Sequence, residues 1–159
     1  MAPQTAFVTR ATGTQGIAVT KKLLSAGYTI HALVKDPNDA RSTAYQALSL
    51  SSIRLFSGIL DDASALGTAL TGCTALFLNL MPNFAEKDGE ERQGKAILDA
   101  AKTAGVKHVV HSTVLGLETF NEQDTTVNQI FAAVMSGKVR VEEAVRKSGI
   151  EEWTIIRPG

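Results

Sequence analysis

The sequence predicts an α/β domain built as a doubly wound parallel sheet of about six strands, and three observations carry that expectation. First, a helix-like segment closed by glycine and followed at once by a β-rich run occurs four times: KKLLSAGYTIHALV, GTALTGCTALFLNL, DAAKTAGVKHVVHS and EAVRKSGIEEWTII. Second, the strand-like runs AFVT, ALFLNL and HVVHS lack polar alternation, as strands covered by helices on both faces do. Third, the first strand-to-helix passage, FVTRATGTQGIAV at residues 7–19, carries two glycines three apart.

Each element follows from that pattern. The strands fall at residues 5–9, 28–34, 53–57, 74–80, 107–113 and 152–157, where β-branched and aromatic residues concentrate. Helices fit residues 14–26, 39–50, 62–71, 87–104 and 126–148. Four of these five stop at Gly27, Gly72, Gly105 and Gly149, because glycine takes the left-handed conformation past a helix end without a side-chain penalty. In the last helix Ile130, Val134, Val141 and Val145 share one face, which predicts a buried stripe. The right-handed crossover rule then leaves the Rossmann strand order as the leading topology. Two polar loops, KDPNDARS (35–42) and MPNFAEKDGEE (81–91), follow strands at the edge of the sheet where ligands bind.

Composition narrows the function classes. The chain of 159 residues is 44% hydrophobic and 20% charged, an ordinary single soluble domain over 1–159. Sixteen basic and sixteen acidic residues cancel, and no run of five like charges occurs, so capture of nucleic acid or an acidic membrane is not suggested. No basic leader precedes an apolar stretch, and no apolar segment approaches a membrane span. With a single cysteine, Cys73, the expected setting is cytoplasmic, with the nucleus also allowed. His31, His108 and His111 lack metal spacing, so no metal site is assigned.

The turn TRATGTQG has the order a phosphate cradle needs: strand, small-residue turn, helix start with free N–H groups. Gly13 and Gly16 supply two glycines, and Thr12, Thr14 and Gln15 add polar contacts. Arg10 stands where a first glycine would. Its side chain either constricts the groove, compensates as a guanidinium partner for phosphate, or is a solvated residue at a degenerate mouth. At the end of strand two, Val34 precedes Lys35, where an acidic residue would favour NAD(H); the lysine favours NADP(H), with NAD(H) the lesser candidate.

These residues resemble the NmrA-like family, atypical short-chain dehydrogenase/reductase relatives that include isoflavone-reductase-like enzymes and redox-sensing regulators. The resemblance runs through VTRATGTQG, ALVKDP, SGILDDASAL, GVKHVVHST, SGKVRVEEAVRKSGI and WTIIRPG. It implies that Thr12, Gly13, Thr14, Gln15 and Gly16 meet the pyrophosphate, that Lys35 lies near a 2′-phosphate, and that Leu80 and Met81 border the nicotinamide half. It also implies an acidic adenine contact where this sequence has Ile59. Lys138 matches the family's helix lysine, a candidate ribose ligand or acid, or else a structural or solvated side chain. Four residues before it, where catalytic relatives carry a proton-donating tyrosine, stands Val134. Ser112 and Thr113 follow strand five, a place for a substrate-polarising hydroxyl, though polar strand ends are routine.

The family continues beyond the position of Gly159 with a smaller substrate domain, so the resemblance implies a nucleotide-binding part without it. Apolar surface left open in this way suggests a homodimer or another protein partner. Three functions are expected from this: an NADP(H)-binding, redox-responsive or partner-binding module not catalytic alone; an NADPH-dependent reductase completed elsewhere, with Lys138 as acid; or an interaction module that has lost its cofactor.

Overall fold

A computed structural model describes residues 4–86, 88–124 and 126–159. The elements alternate: β1 (Thr5–Val8), α1 (Thr14–Ser25), β2 (Thr29–Val34), α2 (Ala40–Gln46), β3 (Ile53–Ser57), α3 (Ala63–Leu70), β4 (Ala75–Asn79), α4 (Gly89–Thr103), β5 (His108–Ser112), α5 (Gln129–Lys147) and β6 (Glu152–Ile156). A short 3₁₀ turn at Leu117–Thr119, which no sequence pattern marks, lies between β5 and α5. All six strands are parallel, in the order β3-β2-β1-β4-β5-β6.

This order places a reversal between β1 and β4. The chain winds outward through β2 and β3, returns over the sheet, and winds the other way through β5 and β6. Because each crossover is right-handed, the two halves put their helices on opposite faces. The core divides accordingly. Ala6, Val8, Ile30, Ala32 and Phe77 pack with Tyr45 of α2 and with Ile17 and Leu24 of α1. Phe7, Leu76, Leu78 and Val109 pack on the other face with Leu66 of α3, Ile97 of α4 and Val141 of α5. Successive residues of β1 therefore serve opposite cores, which explains its lack of alternation.

Local chemistry sets the element ends. Asp39, Asp62 and Asn128 cap α2, α3 and α5 by accepting N–H groups of the first turn, at 2.7 Å from Ser42 and 2.9 Å from Ser64 and Ile130. Gly27, Gly72, Gly105 and Gly149 all take left-handed backbone after their helices.

Three expectations need correction. The second helix ends at Gln46, not residue 50, because the bonding tightens to Leu48 N–H on Tyr45 O and Ser49 N–H on Gln46 O. The buried stripe of α5 starts later than expected. Ile130 is 65% exposed, Val134 is half-buried, and the buried positions are Met135, Lys138, Val141, Glu142, Ala144 and Val145. The sixth strand is the sheet edge among the described residues, paired with β5, and its Trp153 and Ile156 are exposed. The fourth helix begins at Gly89; the expected start, residue 87, lies outside the described residues, as do residues 1–3 of the expected domain. No helix among the described residues is long and apolar enough to cross a membrane.

Candidate functional site

The reversal between β1 and β4 opens a crevice at the carboxyl ends of the strands, and Thr9 closes its floor. Its hydroxyl accepts the Asn79 N–H at 2.7 Å and lies 2.9 and 3.1 Å from the carbonyls of Asn79 and Phe77. The ends of β1 and β4 are thereby tied at the point where a doubly wound sheet binds nucleotides. Nothing in the sequence distinguished Thr9 from its neighbours.

Above this floor the chain turns from β1 into α1. Arg10 has φ +50°, the left-handed conformation for which glycine is the usual choice, so the backbone path of a glycine is kept with an arginine in it. The Arg10 side chain is exposed, not folded into the groove. The Arg10 carbonyl accepts the Gly13 N–H at 2.9 Å, which closes the turn. A Cβ on Gly16 would lie 2.4 Å from that carbonyl oxygen and 2.7 Å from Ala11 Cα. Helix and turn approach more closely than any side chain permits.

The start of α1 differs from the side-chain-capped helices α2, α3 and α5. Gly13 provides no capping side chain and no acidic residue occupies the first turn, so its leading N–H groups face outward. An uncapped helix start over a cradle that a Cβ would fill suits a pyrophosphate, and the residues present fit a dinucleotide. Thr12, Gln15 and Gly13 are half-buried around the turn, and Thr14 is exposed.

Lys35 is exposed just past the end of β2. The neighbouring Asp36 spends one carboxylate oxygen on the Asn38 N–H at 2.8 Å, an Asx turn that holds the acid in the loop. Ile59 is 53% exposed after β3, and neither following acid replaces the polar contact it lacks. Asp62 caps α3, while Asp61 takes Arg92 at 2.8 Å and Gln93 at 2.9 Å.

Past β4, the two expected nicotinamide-side residues separate. The Leu80 side chain is buried in the core, so only its backbone reaches the site, whereas Met81 is 55% exposed. The Leu80 carbonyl accepts from Lys138 Nζ at 2.9 Å. Lys138 is buried, not solvated, and it also donates to Glu90 Oε1 at 2.5 Å. Sequence reading missed Glu90, one of several acids in MPNFAEKDGEE with nothing to mark it as the buried one. Glu90 is 5% exposed.

Next to this pair, a cleft of about 420 Å³ opens between the β4–α4 loop and α5, with Pro82, Phe84, Val134 and Gly137 in its walls. The position of the missing tyrosine is thus an apolar wall. Ser112 and Thr113 are buried at the end of β5, and Thr113 Oγ1 has no hydrogen-bond partner among the described residues. His111 donates Nδ1–H to the Leu78 carbonyl at 3.0 Å, leaving Nε2 buried and without a partner among the described residues. Burial holds its pKa below the ordinary histidine value; the Leu78 bond opposes this and the Lys138 charge adds to it. Among the described residues no group of three or more His, Cys, Asp or Glu is placed to hold a metal ion.

Comparison with known proteins agrees with this geometry. An NAD(P)H azoreductase of Xenophilus azovorans is 32% identical over 155 residues, 96% of this chain and 47% of the azoreductase. Among solved structures, an NADPH-dependent quinone oxidoreductase of Escherichia coli, complexed with NADPH, superposes with a TM-score of 0.74 at 26% identity, covering 97% of this chain and 48% of that one. NmrA, a negative transcriptional regulator, shares the fold with a TM-score of 0.76 at 23% identity, covering 96% of this chain and 45% of its own. The chain thus spans a little under half the length of these relatives. The NmrA-like family profile matches residues 3–159, and the chain belongs to the NmrA-like family.

Proposed function

We propose that this chain is an NADP(H)-binding domain that works as a nucleotide-responsive or partner-binding module and does not complete a turnover cycle by itself. The observation that carries this reading is the β1–α1 turn, where Arg10 holds a left-handed backbone and Gly16 admits no side chain beneath an uncapped helix start. Gly13, Thr14, Gln15 and Gly16 would hold the pyrophosphate with backbone N–H groups, and Arg10 would reach it from outside. Lys35 would favour a 2′-phosphate, since Asp36 is engaged in its own turn. When bound, the cofactor would supply a hydride; the chain's own residues supply no tyrosine to move the matching proton, and Lys138 is committed to Glu90 and the Leu80 carbonyl. Calorimetric titration of the chain and of Arg10→Gly with NADPH and NADH tests this. NADPH binding tighter than NADH supports the reading. No heat with either nucleotide at millimolar ligand in the wild type removes it, and binding gained only in Arg10→Gly would mark a site already lost.

A second reading, an NADPH-dependent reductase completed by residues outside this chain, is favoured by the azoreductase and quinone oxidoreductase relatives. Azo and quinone groups take a hydride without a buried acid, because the resulting anion is protonated by water. NADPH oxidation that depends on an added quinone would establish it. The absence of such oxidation together with tight NADPH binding leaves the module reading.

A further inference from the structure

Two buried side-chain atoms without a hydrogen-bond partner among the described residues, His111 Nε2 and Thr113 Oγ1, meet at the end of β5. His111 is fully buried and Thr113 is 9% exposed. The ladder between β5 and β6 runs one residue past β5, because the Thr113 N–H donates to the Ile156 carbonyl at 2.9 Å. Strand alternation therefore continues, and residues 109, 111 and 113 share a face. Val109 belongs on that face to the core that includes Val141 and Val145 of α5. The imidazole and the hydroxyl thus stand side by side beneath α5, on Cα atoms about 6.6 Å apart along the strand.

Their hydrogen-bonding roles fit one small molecule between them. His111 gives its Nδ1–H to the Leu78 carbonyl, which leaves the lone pair on Nε2. Nε2 then needs a donor, whereas the Thr113 hydroxyl can donate or accept. Leaving both unmet in the core is costly.

The surroundings restrict the guest. Lys138 and Arg146 direct positive charge at His111, and the acid facing it, Glu142, has both oxygens taken by Arg157 and Arg146. A cation would meet two like charges. An anion would find a single hydroxyl donor and a ring lone pair that repels it. A neutral molecule with one donor and one acceptor meets neither penalty, and the closed setting admits only a very small one.

We propose that one internal water bridges these residues, donating a hydrogen to His111 Nε2 and accepting the Thr113 O–H. Two polar partners suffice to hold a buried water. The bridge turns the Thr113 hydroxyl inward and ties the carboxyl end of β5, at the crevice, to the core beneath α5. It stands apart from the proposed function, and its test needs no nucleotide.

The test turns on the sign of one substitution. Thr113→Val keeps the shape and removes the hydroxyl. A stranded hydroxyl is a burden, so losing it would stabilise the fold; losing an arm of a bridge leaves a buried acceptor unmet. The folding equilibrium constant, from urea denaturation at unchanged slope, is expected to fall about tenfold. In a His111→Phe background, where the ring acceptor is gone, the same substitution is expected to change it by less than about twofold. Should His111→Phe fail to fold, the water is read directly. Nuclear Overhauser spectra of the wild type should show a long-lived water signal at the Thr113 methyl, absent in Thr113→Val. A Thr113→Val variant as stable as the wild type or more so, an equal loss in both backgrounds, or no long-lived water signal at Thr113 overturns the proposal.

Discussion

The carbonyl oxygen of Arg10 lies 2.4 Å from the point a Cβ on Gly16 would occupy, with the Ala11 Cα and carbonyl oxygen each at 2.7 Å. All three obstacles are backbone atoms of the turn itself, so no side-chain rotation can relieve them. Gly16→Ala is therefore expected to push α1 away from the turn. It should cost about 1–3 kcal/mol of stability, as overpacking does, and abolish NADPH binding. Gly13→Ala, whose Cβ would lie 3.2 Å from the same oxygen, should be milder. Urea denaturation and calorimetry on both variants check the order.

Arg10→Gly should change stability little. A left-handed backbone costs a side-chain-bearing residue about 1–2 kcal/mol, and the variant recovers this. Glycine gives back about 0.5–1 kcal/mol through the greater freedom of the unfolded chain. The expected net is a gain of up to about 1 kcal/mol, read from the urea midpoint at unchanged slope. Because the guanidinium is exposed, its removal should also flatten the salt dependence of NADPH binding.

Lys35→Asp is expected to weaken NADPH binding about tenfold or more, through loss of a charge-assisted contact, while NADH affinity stays the same or rises. Parallel titrations of the two nucleotides check it. Equal losses for both would show that Lys35 does not read the 2′-phosphate.

Acid stability should fall in two windows. Burial lowers the pKa of His31 and of His111 from 6.5, so the unfolded chain takes up protons first as the pH drops. Their contribution is full above pH 6.5 and is lost as the pH falls from there through the depressed folded values. Glu142 follows at lower pH. Burial alone would raise its pKa, but Arg157 at 2.7 and 2.8 Å and Arg146 at 2.8 Å more than offset that and hold it below 4.5. Its contribution is present above pH 4.5 and is lost as the pH falls through the lowered value. Urea midpoints measured across this range should show the first loss reduced in His111→Gln and the second in Glu142→Gln.

Much of the molecule was legible before any coordinates. Strand placement followed from apolar runs such as ALFLNL, and helix ends from Gly27, Gly72, Gly105 and Gly149, because these signals depend only on local backbone preference and on burial on two faces. The close β1–α1 turn was legible for the same reason, since Gly13 and Gly16 meet their constraint within a few residues. The onset of burial along α5 was not. Ile130 and Met135 are equally apolar, and only the position of the helix against β5 and α4 decides which one is covered.

By itself, then, the sequence determined the alternating elements, the parallel sheet with its reversal, and the glycine turn that leads β1 into α1. Tertiary structure alone decided that Thr9 ties β1 to β4, that Lys138 is spent on Glu90 and Leu80, and that Glu90 lines the cleft beside α5. The physical reason is range. Backbone propensity and hydrophobic pattern act over a turn or a strand, whereas a buried charge finds its partner across 48 residues of chain, where no local pattern records it.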